Sequence, residues 1–195
     1  MRGCFIVLDF ETTGMSPASG ARATEVGAVR VEDGRIVARF QSLMNAGAHI
    51  PPFIQRLTGI TNAMITAAPP CGEVMQRFHD FLGDAPLVAH NAPFDRKFLD
   101  AELALSGLAA PQPMICSMRI ARRILSDAPN HKLGTLVGYA GIETDGVFHR
   151  ALADAEKTAH LMLSMAARVR QLQGISLVDY SLMSSLQNAP RSRRC

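Results

Sequence analysis

Four apolar residues, Phe5-Ile6-Val7-Leu8, run straight into two acids in the string Leu8-Asp9-Phe10-Glu11-Thr12-Thr13-Gly14. A short apolar run of this kind reads as a buried strand. A strand points residues i and i+2 to the same face, so Asp9 and Glu11 stand side by side where it emerges. Burying one unpaired carboxylate is expensive, and a second of like sign adds repulsion. Either the acids cap the next turn, or something positive compensates them. A hard divalent cation such as magnesium or manganese favours carboxylate oxygen ligands and is the natural candidate.

Two further clusters bear on that choice. His90-Asn91-Ala92-Pro93-Phe94-Asp95 follows the apolar run Leu87-Val88-Ala89 and precedes a helical pattern through Phe98, Leu99 and Leu103. Asp95 is therefore expected at a strand-to-helix junction, where Pro93 suits a first helical turn and the helix dipole favours an acid. Taken alone, it could be an ordinary helix-start residue. His149-Arg150-Ala151-Leu152-Ala153-Asp154-Ala155 opens a long helix with apolar positions at Leu152, Ala155, Ala159, Met162, Leu163 and Ala166. Five residues is not a same-face helical spacing, so His149 belongs to the loop leading in and Asp154 to the helix itself.

In this order and at these separations the three clusters resemble the motifs of the DEDDh, or DnaQ-like, family of 3′-to-5′ exonucleases, which includes bacterial replicase proofreading subunits and RNase T-like ribonucleases. The resemblance covers roughly residues 4–168, and Glu25-Val26-Gly27-Ala28-Val29, Leu57-Thr58-Gly59-Ile60-Thr61 and Lys132-Leu133-Gly134-Thr135-Leu136 are similar to the family's intervening segments. It implies an RNase H-like α/β fold, a mixed sheet flanked by helices. It also implies that Asp9, Glu11, Asp95 and Asp154 bind two divalent ions, Mg²⁺ or Mn²⁺, with His149 as general base. Thr12, Thr13 and Phe94 match family positions that contact the terminal nucleotide, and an exposed ring can stack on any base. Ordinary helix packing is the competing role for Phe94.

The chemistry agrees with that assignment. In-line hydrolysis of a phosphodiester needs an activated water, stabilised phosphoryl charge and a helped leaving group, all of which a pair of divalent ions can supply. Four carboxylates carry −4 and two such ions +4, so the filled site is formally neutral. Imidazole suits the base role because it can take a proton near neutral pH. His49, His79, His131 and His160 read as ordinary surface or core residues, and His90 as a support for the site.

Composition is that of one domain: 195 residues, 48% hydrophobic and 19% charged. The N-terminal apolar run is too short for a signal-peptide core or a membrane span, so a cytoplasmic protein is expected. Cys4, Cys71, Cys116 and Cys195 lack paired spacing and read as reduced thiols. Strands are expected at 4–9, 24–32, 35–44, 86–89 and 114–116, with a hairpin turn at Glu32-Asp33-Gly34. Helices are expected at 52–58, 72–82, 93–106, 117–126, 132–140 and 150–172.

Charge is uneven along the chain. Residues 1–167 hold 15 basic and 16 acidic side chains, whereas residues 168–195 hold 5 basic and 1 acidic. Arg119, Arg122 and Arg123, with Lys132 following, form either a phosphate-binding strip or a solvated helix face. An exonuclease domain is assigned to 1–173 and an amphipathic segment with a basic tail to 174–195. In that segment Ile175, Val178, Leu182 and Leu186 recur at helical spacing before Arg191, Arg193 and Arg194. Such a stripe packs on its own domain or docks a polymerase, a sliding clamp or a second copy. The expected activity is removal of nucleoside 5′-monophosphates from single-stranded 3′ ends, of DNA in proofreading or repair. RNA 3′-end trimming and a nonhydrolytic end-binding module are the alternatives.

Overall fold

The computed structural model describes residues 1–144, 146 and 149–189. Its centre is a five-stranded mixed sheet formed by β1 (Cys4–Thr12), β2 (Ala23–Glu32), β3 (Arg35–Leu43), β4 (Leu87–Ala89) and β5 (Met114–Cys116), in the order β3-β2-β1-β4-β5. The first three strands form an antiparallel meander, and β4 and β5 add in parallel to β1. Asp33 and Gly34, at φ 47° and 84°, make the two-residue turn between β2 and β3, as a tight hairpin requires.

Eight helices accompany the sheet among the described residues: α1 (Pro52–Thr58), α2 (Asn62–Thr66), α3 (Cys71–Leu82), α4 (Ala92–Ala104), α5 (Ser117–Ile124), α6 (Leu133–Tyr139), α7 (Ala151–Gln173) and α8 (Tyr180–Asn188). Alternation along β1 explains the two layers. Ile6, Leu8 and Phe10 face α3 and α4 through Val74, Phe78, Phe98 and Leu99. Phe5 and Val7 face the opposite way, into a core with Ile120 of α5, Leu136 of α6 and Leu161, Met162 and Met165 of α7. The short α2 is an element the sequence pattern does not announce. Its Thr61 cap accepts the Met64 amide, but five residues are too few to carry a periodic signal.

Strand β1 also runs further than residue 9. It keeps pairing with β2 as far as Thr12, whereas β4 ends at Ala89 and leaves the other edge of β1 open beyond it. Both acids therefore lie inside the strand.

The segment after Gly174 packs on the same domain. Val178 and Met183 are buried, and Ile175, Leu182 and Leu186 pack against the α5–α7 core. The Arg2 amide donates to the Val178 carbonyl, the Tyr180 hydroxyl to Leu87 and Pro113 carbonyls, and the Gln187 side chain accepts the Cys116 amide at the free edge of β5. The apolar stripe is thus occupied at home, leaving a partner only the outer face. Arg191, Arg193, Arg194 and Cys195 lie outside the described residues. Cys4, Cys71 and Cys116 are free thiols. No described helix is long and apolar enough to cross a membrane.

Candidate active site

Asp9 and Glu11 follow Phe5 and Val7 on the face of β1 that α7 covers, and both are half-buried. Their partners across the antiparallel pair are Gly27 and Glu25. Gly27 has no side chain for a physical reason: a Cβ there would stand 2.1 Å from the Leu152 amide nitrogen and 2.3 Å from the Ala151 carbonyl carbon. The missing side chain lets the first turn of α7 rest directly on the sheet beside Asp9. Glu25, fully buried, holds that turn. It accepts from the Arg150 guanidinium at 2.8 and 3.1 Å, from the Ala151 amide at 3.1 Å and from the Gln41 amide group at 2.8 Å. A buried carboxylate is tolerable when paired and hydrogen-bonded in this way.

The remaining acids arrive on helix starts. Asp95 lies in the first turn of α4 and is 1% exposed. Its Oδ1 accepts the Phe10 amide at 3.2 Å, a donor left unpaired where β4 stops. Asn91, at φ 69°, turns the chain from β4 into that helix. Asp154 lies in the first turn of α7. His149 takes φ 59° in the loop before it and donates its own amide to Asp154 Oδ2 at 3.0 Å. The exposed His149 side chain joins Glu11 and Asp154 in a cluster whose ligand-type atoms all lie within 4.8 Å of one another. Both helix N-termini direct positive dipole ends at the acids.

The electrostatics are those of an acid cluster that wants a cation. Burial, then the neighbouring Asp95, Glu11, Asp154 and Glu25 charges, push Asp9 well above the carboxylate range. Burial and the Asp154, Glu25 and Asp95 charges bring Glu11 to about 8. Burial takes Asp95 to about 8 and raises Asp154, against the amides that stabilise their anions. Asp154 Oδ1 is buried and lies 3.8 Å from the Lys157 ammonium. Buried acids with an imidazole beside them are a donor set that suits a hard divalent ion.

The other expected site residues have defined but less exposed roles. Thr12 donates its hydroxyl to the Gly14 carbonyl at 2.7 Å, and Thr13 accepts the Arg22 amide at 3.0 Å. Both hydroxyls therefore shape the loop after Glu11. Phe94 is half-buried against Phe98, at 5.1 Å between ring centres, with the Lys97 ammonium 5.0 Å from its ring. His90 is fully engaged. Its Nε2 donates to the His131 carbonyl at 3.0 Å, so its Nδ1 accepts from the Ser117 hydroxyl at 2.8 Å. Burial lowers its pKa to about 4, consistent with a neutral supporting ring.

The arginines of α5 also make contacts within the chain. Arg119 donates to the Asn188 side chain, Arg123 to the Ala189 carbonyl, and Arg122 to the Met118 sulfur. Two residues that sequence reasoning passed over complete the picture. Glu102, buried, takes a bidentate pair from Arg22 at 2.8–3.2 Å and the Ala23 amide at 2.9 Å, bracing the loop that carries Thr13. Glu25 braces α7. The signal was present for both, since an acid within an apolar pattern must have a partner.

Comparison with known proteins gives the same answer. The RNase T family model, described as Exonuclease, matches residues 6–162. The chain is 34% identical over 186 residues to the DNA polymerase III subunit epsilon of Aquifex aeolicus, covering 95% of this chain and 90% of that one. It is 40% identical over 162 residues to the PolC-type DNA polymerase III of Halalkalibacterium halodurans, covering 83% of this chain but 11% of that protein. Several curated relatives are much longer, and the chain spans between 11% and 30% of the first four it matches. Among solved structures, exonuclease X in complex with 5′-overhanging duplex DNA superposes with a TM-score of 0.72 at 26% identity, covering 94% of this chain and 99% of that one. E. coli exonuclease I with a dT13 oligonucleotide shares the fold at a TM-score of 0.75 and 17% identity, over 89% of this chain and 43% of its own. The five-stranded mixed sheet with helices on both faces is thus the RNase H-like fold of these enzymes. Matched through residues 6–162 and along nearly the whole length of the Aquifex subunit, this chain belongs to the exonuclease family.

Proposed function

We propose that the protein is a divalent-metal-dependent 3′-to-5′ exonuclease acting on single-stranded 3′ ends, of DNA in a proofreading or repair setting, and releasing nucleoside 5′-monophosphates. The observation that carries this reading is the convergence of Asp9, Glu11, Asp95 and Asp154 from three elements, with the His149 side chain beside them. Those four acids would hold Mg²⁺ or Mn²⁺, which in such a site lowers the pKa of a water and neutralises charge on the phosphoryl group. His149 would take the proton of the attacking water. Its side chain is exposed on the loop before α7, within 4.8 Å of ligand atoms of Glu11 and Asp154.

Phe94 and the loop carrying Thr12 and Thr13 flank the acids and are assigned to the terminal nucleotide. The choice of DNA follows the polymerase subunits among the relatives and the DNA held by exonuclease X, as does the cytoplasmic setting. A polymerase or clamp would engage the outer face of residues 174–195 or the basic tail. The test is digestion of matched 5′-labelled DNA and RNA oligonucleotides with Mg²⁺ and with EDTA. Stepwise shortening of DNA in Mg²⁺, silenced by EDTA, is expected. Full activity in EDTA, or cuts within a circular single strand, would sink the reading.

A further inference from the structure

A cavity of about 380 Å³ lies where the first turn of α4 meets β5, the start of α5 and the end of α8. That is the size of a ligand pocket. Its lining includes Pro93, Arg96, Gln112, Cys116, Arg119 and Gln187 and, among the described residues, no carboxylate. Pro93 immediately precedes Phe94 and Asp95, so the cavity begins within one helical turn of the candidate active site. A guanidinium carries five N–H donors in a rigid fork. Arg96 uses three of them, its Nε on Asp100 at 3.0 Å and its terminal nitrogens on the Gln112 and Ala110 carbonyls. These bonds hold the fork in place and leave one N–H on each terminal nitrogen, while Asp100 offsets the charge. Arg119 uses one, on Asn188 Oδ1 at 3.2 Å, and no described carboxylate pairs with it. Gln187 accepts the Cys116 amide through Oε1, which leaves its amide nitrogen as a donor. Gln112 gives its amide nitrogen to the Gly83 carbonyl and keeps Oε1 buried. The groups left over at this cavity are therefore donors from three helices.

Guanidinium forks with donors to spare suit phosphate oxygens, and a positively charged groove is what tracks the backbone of a single strand. From this juxtaposition we propose that the cavity holds one backbone phosphodiester of the substrate strand, behind the terminal nucleotide, with Arg119 meeting its charge and Arg96 and Gln187 adding hydrogen bonds. The inference rests on the exonuclease reading and deepens it. The strand then leaves the acids past the start of α4 toward α5. Such a contact is blind to base identity, so it strengthens binding of any strand long enough to reach the cavity. It also separates Arg119 from Arg122 and Arg123, which are not among the described lining residues.

The test removes the charge from each partner in turn. A set of 5′-labelled single strands, each with one uncharged methylphosphonate at a different linkage behind the scissile one, is digested in Mg²⁺ at concentrations below KM. With the wild-type protein, kcat/KM should fall about tenfold when one particular linkage is neutral, the loss expected for a hydrogen bond to a charged group. Arg119→Gln should be slower by about the same factor on the unmodified strand and should respond to that neutral linkage by less than about twofold, because the two losses remove one interaction. Arg119→Ala takes its place if the Gln variant does not fold. Asn188→Ala, which removes only the bond between α5 and α8, and Arg122→Gln should both keep the wild-type response. A wild-type protein indifferent to every internal linkage, a response of full size in Arg119→Gln, or its loss in Asn188→Ala would overturn the proposal. So would inhibition by inorganic phosphate or a nucleoside monophosphate that needs Arg119 while no internal linkage matters, since the cavity would then take a free phosphate. Failure of the wild type to shorten the unmodified strand would instead defeat the nuclease reading, and this one with it.

Discussion

Asp154 and His149 touch through a main-chain amide, yet their losses should look different. Asp154→Asn keeps the shape and the Oδ acceptor but removes a charge from the cluster, so nearly all turnover and much of the Mn²⁺ affinity should go together. His149→Gln removes only the proton acceptor; a loss of about 10²- to 10⁴-fold in rate is expected, with Mn²⁺ binding intact. A His149→Gln enzyme at the wild-type rate would return that residue to the ordinary loop. Asp9, Glu11, Asp95, His149 and Asp154 each belong to a short motif that the sequence displays. Glu25 is legible only in part: an acid in an apolar strand must have a partner, but that partner, Arg150, lies 125 positions away and only the folded chain brings the two together.

Among the elements, α7 carries the heaviest demand, since its first turn must lie flat on β2 for Asp154 to reach the acids of β1. Gly27 decides that approach sterically, its backbone being free of any positive-φ requirement. Gly27→Ala should push the Ala151–Leu152 turn outward, cost about 1–3 kcal/mol as overpacking, and cut the rate by about 100-fold, since a displacement of about 1 Å is enough for that. Gly138 in α6 is the control: a Cβ there meets nothing within 4 Å, so alanine should stabilise by about 0.5–1 kcal/mol. Thermal melts and single-turnover rates of the two variants check both halves. A melting temperature that rises for both would remove the argument for Gly27. The periodicity of α7 is plain in the sequence, but its seat is not, because a glycine in a strand does not say what comes close to it. Helix α5 makes a related point: the spacing of its arginines left a phosphate-binding strip and a solvated face both open, and nothing local in it announces that Arg119 and Arg123 also bond the end of α8.

For the molecule as a whole, the mixed sheet and its helices were readable from alternating patterns, whereas the order β3-β2-β1-β4-β5 depends on long-range pairing that no local pattern encodes. That order converges the acids, and their convergence makes stability depend on pH. Glu11 and Asp95, both near 8, hold protons in the folded chain that an unfolded chain releases near its ordinary carboxyl values. Stability from these two groups is therefore fully present below about 4 and is lost as pH rises through about 8. His90 has the opposite sign: lowered to about 4, it adds stability above 6.5 that falls away as pH drops toward 4. The Met1 amine, lowered by burial and Arg170, opposes the acids weakly at the upper end. Between pH 6.5 and 8 the carboxylates dominate, so in EDTA the melting temperature should fall across that window. Divalent cations take the place of the protons, so the melting-temperature gain from saturating Mg²⁺ should be larger at pH 8 than at pH 6.5. Melts at both pH values with and without Mg²⁺ measure the two trends. A metal-free melting temperature that rises toward pH 8, or an Mg²⁺ gain that shrinks there, would show that the four acids are not coupled to a shared cation.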